Sequence, residues 1–142
     1  AHGIACGTPV HSLRRRFVNT TGAPVTRLRF RIVDISALGT GAVADLRALS
    51  SSAIVVTGIQ DSATCLASTG SAATPCTVTV QGTTLEEPPN QPMGGALNSS
   101  WNAGTITLGT PLANGASINL QLVLGVQSSG SFKFFFNVEA LP

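Results

Sequence analysis

The chain has 142 residues, of which 43% are hydrophobic and 10% charged, with a formal net charge of +2. That length suits one domain with a real core, and the composition excludes a disordered polyelectrolyte. The charge is too small to direct the chain to nucleic acid or an anionic membrane surface, and no run approaches the roughly 18 apolar residues of a membrane-crossing helix.

The chain opens on Ala1 rather than methionine, as a processed secreted product or a fragment would, and it holds three cysteines and a single lysine. Residues 1–12 (AHGIACGTPVHS) carry two glycines, a proline, both histidines and Cys6, and read as an N-terminal arm. Residues 13–142 read as one β domain. Leu13–Asn19 is the first expected strand, and the turn residues Asn19, Gly22 and Pro24 predict a hairpin spanning Leu13–Ile35.

In Val25–Ile35 the side chains alternate strictly, with Leu28, Phe30 and Ile32 on one side and Arg27, Arg29 and Arg31 on the other. A period of two marks a strand with one dry and one wet face. Short strands follow at Val43–Leu49 and Ser52–Ile59. Asp61–Pro75 is a loop of small residues with Cys65 inside it and Cys76 just beyond, and Thr77–Leu85 alternates again. Glu86–Gly95 (EEPPNQPMGG) contains three prolines and is no central strand.

Leu97–Trp101 and Thr105–Leu108 are further short strands. Ser117–Gln127 places Ile118, Leu120, Leu122, Leu124 and Val126 on one face, and Ser131–Leu141 places Phe132, Phe134, Phe136 and Val138 inward. No helical period is visible. Eight or nine short strands with regular turns predict an all-β, antiparallel sandwich.

Two stretches resemble bacterial extracellular immunoglobulin-like modules of surface or filament proteins. Phe17–Phe30 (FVNTTGAPVTRLRF) is similar to their strand–turn–strand unit, and Pro111–Leu122 (PLANGASINLQL) to the turn before their penultimate strand. The resemblance implies a non-catalytic stalk, adhesin or filament subunit.

The residues give catalysis little to work with. Both histidines lie in the arm, away from any serine elbow, and Glu86 and Glu87 are adjacent, so they point apart on an extended chain. No catalytic residue, cofactor or metal site is expected; His2, Cys6 and His11 match no zinc spacing. Cys65 and Cys76 are expected to form a disulfide adding roughly 2–3 kcal/mol. Cys6 is then left to link chains or stay free; alternatively it pairs with one loop cysteine.

Arg27, Arg29 and Arg31 face either acids on neighbouring strands or Glu86, Glu87 or Asp61 of a neighbouring subunit. Asn19 and Asn98 match the N-x-[ST] glycan-attachment pattern. Trp101 is either a core residue or a platform for stacking a ligand sugar. Interleaved aromatics for nucleic acid are missing. The expected role is a subunit of an extracellular filament or cell-surface assembly, with self-association through strand addition by the arm. The alternative is a module binding glycans or another surface ligand; no enzyme is expected.

Overall fold

The computed structural model describes residues 10–38, 45–86, 100–128 and 131–142. The fold is mostly β, and its named strands all pair antiparallel. Cys6, Glu87 and Asn98 lie outside the described residues, as does the arm up to residue 9.

Strand β1 (Val10–Val18) starts three residues before the expected Leu13, so Val10–Ser12 belong to the body and not to the arm. The link after it closes no hairpin. Strand β2 (Arg27–Leu38) belongs to a different sheet from β1, and residues 19–24 carry the chain across. Asn19 makes this crossing rigid. Its side-chain amide donates to the carbonyls of Ala23 and Leu112, each at 2.8 Å, while its Oδ1 accepts from the Thr21 backbone N–H. A buried polar group satisfied on both sides fixes its loop, and here it does so between sheets.

Strands β3 (Asp45–Leu49) and β4 (Ile54–Ile59) come next, then helix α1 (Ser62–Thr69), which the sequence reading missed. Its ends carry ordinary signals. Asp61 caps the N-terminus by accepting from the Thr64 N–H, and Gly70 closes the C-terminus at φ 79°, where a side chain would be strained. The expected strand Thr77–Leu85 is two pieces, β5 (Cys76–Val80) and β6 (Thr84–Leu85). Gly82 explains the break: a Cβ there would lie 2.0 Å from the Ser51 carbonyl oxygen. The backbones cross in contact, and Ser51 N–H donates to the Thr83 carbonyl at 2.9 Å.

Strands β7 (Ser100–Asn102), β8 (Ser117–Ser128) and β9 (Ser131–Leu141) complete the order. One sheet runs β1-β8-β3, a second β6-β7-β2-β9, and β4-β5 form a separate pair. Thr105–Leu108 is not a strand but part of a turn closed by reciprocal Thr107–Thr110 bonds, with Ile106 reaching the core.

The first two sheets share one core. Leu28, Phe30 and Ile32 of β2 and Trp101 of β7 meet Leu120, Leu122 and Leu124 of β8 and Ala48 of β3. The Phe30 ring lies 4.9 Å from that of Phe17 and 5.8 Å from that of Phe136, tying β1, β2 and β9 together. Fully burying a side chain of this size adds about 1.5–3 kcal/mol.

Strand β8 is buried on both faces, because Gln121 and Val123 are covered as well. The β4-β5 pair and α1 pack on that second side, and the Gln121 amide donates to the Ser52 carbonyl at 2.8 Å. Strand β9, by contrast, is the last strand of its sheet. Val138, expected inward, is therefore half exposed.

Candidate interaction surfaces

Three surfaces carry the residues of interest. The first is the outer face of β2, where the arginines find their partners in the same chain. Glu139 stands opposite Arg29 across the β2–β9 ladder, and Glu86 arrives from the other flank, just past β6. Arg27 reaches Glu86 at 2.7 Å and Arg29 reaches it at 3.2 Å, while Glu139 takes Arg29 in a close hydrogen bond and Arg31 at 3.9 Å.

Three cations and two carboxylates thus form one half-exposed network. The bond to Glu139 first, and that to Glu86 after it, raise the Arg29 guanidinium above its ordinary value. The same Arg29 bond holds the Glu139 carboxyl below the usual glutamate range. Glu86 folds back onto this network and does not stand out in solvent, where Pro88 and Pro89 were expected to hold it.

The second surface is the outer face of β1. Arg14 and Arg16 lie on it, opposite Gln121 and Asn119 of β8, while Leu13 and Phe17 alternate toward the core side. The β4-β5 pair covers β8 and leaves a groove against β1. Arg14, Arg15 and Arg16 form one wall; Val56, Ile59, Val78 and Val80 form the other, with a volume of about 340 Å³. The hairpin wall is pinned by the Cys65–Cys76 disulfide, which joins α1 to the start of β5. Among the described residues no carboxylate pairs with Arg14, Arg15 or Arg16. Asp61 feels Arg16 only through space, and its carboxyl is lowered chiefly by its bonds to Thr64.

The third surface is the seam between β1 and β9, each the outermost strand of its sheet. A cleft of about 180 Å³ opens there, lined by Phe17, Val18, Val25, Leu28, Leu112 and Val138 among others. Of the residues lining it, Val18 and Val138 are half exposed. Among the described residues no strand pairs with the free edge of either β1 or β9.

Two expected site residues are structural instead. Trp101 is wholly buried, and its indole N–H donates to the Leu49 carbonyl at 3.0 Å, so no ligand sugar reaches it. Asn19 is 4% exposed with both amide hydrogens engaged, which leaves no room for an attached glycan in the folded chain. His11, assigned to the arm, sits in β1, and among the described residues no three His, Cys, Asp or Glu cluster as metal ligands.

Sequence reasoning missed Glu139 as an arginine partner, since only the strand register brings it to Arg29. It also gave the visible run Arg14–Arg16 no role. No helix among the described residues is long and apolar enough to cross a membrane. No known protein family, curated protein or solved structure matches the chain.

Proposed function

We propose that the chain is a structural subunit of an extracellular assembly, an immunoglobulin-like β-sandwich whose copies join by strand addition. The observation that supports this is the seam. Val18 of β1 and Val138 of β9, both half exposed, line one apolar cleft, and no described strand pairs with the free edge of either β1 or β9. An edge in that state is a template for an incoming strand, whose backbone supplies hydrogen bonds and whose alternate side chains fill the cleft.

The N-terminal arm of a second copy is the proposed donor. Ile4, Cys6 and Thr8 alternate with the small residues Ala5 and Gly7, so an extended arm carries its larger side chains on one face. With Cys65 and Cys76 bonded to each other, Cys6 is left to cross-link to Cys6 of another chain or to remain a thiol. The internal disulfide supports an oxidising, extracellular setting. Glycan binding loses its anchor with Trp101 in the core.

Negative-stain microscopy and light scattering of the complete chain test this. Polymers are expected, and deletion of residues 1–9 should leave monomers. Because the seam is apolar, polymers should persist as salt rises; contacts through the arginine network would weaken as charges are screened beyond about 10 Å at 0.1 M. Monodisperse monomers from the complete chain overturn the proposal.

A further inference from the structure

We infer that the groove between β1 and the disulfide-pinned hairpin docks an acidic, extended polypeptide segment of a partner protein. This is a different surface from the seam and does not depend on polymer formation.

Charge complementarity carries the inference. On β2, each arginine that points outward meets a carboxylate of its own chain. On β1, Arg14 and Arg16 point outward beside an aliphatic wall, and no described carboxylate forms an ion pair with either, Asp61 acting on Arg16 only through space. Arg15 adds a third cation, its guanidinium turned back to donate to the Arg14 carbonyl at 2.8 Å. Like charges held this close repel one another. An anion entering the groove relieves that repulsion.

Spacing selects the kind of anion. Arg14 and Arg16 are two residues apart on one strand face, roughly 6.6–6.8 Å, which is also the distance between alternate side chains of an extended peptide. A segment running along β1 with acids at every second position matches the cations one to one. Its intervening side chains then face the hairpin, where Val56 and Ile59 are half-buried and Val78 and Val80 buried. The occupant is thus acidic on one face and aliphatic on the other. No aromatic side chain lines the groove, so it offers no stacking surface for a base or a sugar ring.

Fluorescence anisotropy with the complete chain tests this. The probe is a short labelled peptide alternating glutamate and valine; the controls are the same residues in two blocks and a sulfated polysaccharide. Saturable binding is expected, about tenfold tighter for the alternating peptide than for the blocked one, a ratio equal to about 1.4 kcal/mol. Arg14→Glu with Arg16→Glu should abolish binding, and Val56→Ser should weaken it several-fold. Circular dichroism checks that each variant folds.

Equal binding of the blocked peptide or of the polysaccharide would reduce the groove to a general anion patch and overturn the inference. So would binding unchanged in the double arginine variant. Loss of binding in Val138→Asp but not in the arginine variant would place the peptide at the seam, overturning this inference while supporting strand addition.

Discussion

Arg27, Arg29 and Arg31 on β2 and Arg14 and Arg16 on β1 share one pattern, arginine at every second position of a strand over an apolar inner face. The first set is closed by Glu86 and Glu139, which come from opposite flanks of the sheet. The second faces a hairpin whose near wall is valine and isoleucine. The pattern alone therefore says that a face is polar and no more. What the face does depends on which residues the topology sets beside it, and a central strand such as β2 collects partners from two neighbours where the edge strand β1 has one.

The largest test asks whether the two faces belong to one cooperative body. Phe30 lies beneath both, so Phe30→Ala should cost about 3–5 kcal/mol, the range for emptying a buried aromatic site. A single urea transition should remain; two transitions would mean the β1 and β2 sheets unfold separately. Next, replacing Cys65 and Cys76 by serine should cost about 2–3 kcal/mol. Hydrogen exchange should quicken in residues 54–80 and stay unchanged in residues 27–31, and equal quickening in both would erase the distinction between the faces.

Acid should separate the faces further. The Glu139 carboxyl is lowered from its ordinary 4.5 by Arg29, so its stabilising effect is fully present above that value. That effect fades as pH falls through the lowered one. Thermal melts across this window should show the loss, and Glu139→Gln should flatten it, whereas Arg14→Gln should leave the slope unchanged.

Smallest is the effect of single arginines. Arg14→Ser should alter stability by no more than about 0.5 kcal/mol, as at most exposed positions. Arg29→Ser should destabilise by more, because Arg29 is the one residue that bonds both Glu86 and Glu139, leaving each with a single arginine. Denaturant midpoints compare the two, and a larger loss at Arg14 would mean β1 has a partner among its own chain.

Much of this architecture was legible in the residues. The alternations of β2 and β8 gave their core faces, because a period of two survives wherever one side is dry. The Cys65–Cys76 pairing followed from a short loop. The turn chemistry of residues 19–24 suggested a hairpin that does not form, because a turn sequence does not say whether the next strand pairs with the last or crosses to another sheet. Helix α1 shows no periodic apolar face because it is mostly Ala, Ser and Thr, with Leu66 exposed and only Cys65 buried; Asp61 and Gly70 were the available signals. Gln121 reads as a solvent-facing residue, and only the hairpin packed over β8 makes it buried. Both arginine clusters were visible as charge, but their partners were set by register and layering, which no local pattern encodes.

The crossing at Gly82 has a consequence for how this protein can vary. The chain leaves the body at Ser51 and returns at Thr83 within one hydrogen bond, after making the hairpin, the helix and the disulfide between. A segment whose ends already meet imposes little constraint on its own length. Residues 52–81 are in this sense one excursion from the body, tied back to β8 by the backbone bonds of Gln81 and by the Gln121–Ser52 bond. The aliphatic wall of the β1 groove belongs to that excursion, so a change within residues 52–81 reshapes the groove without touching the core shared by the two larger sheets.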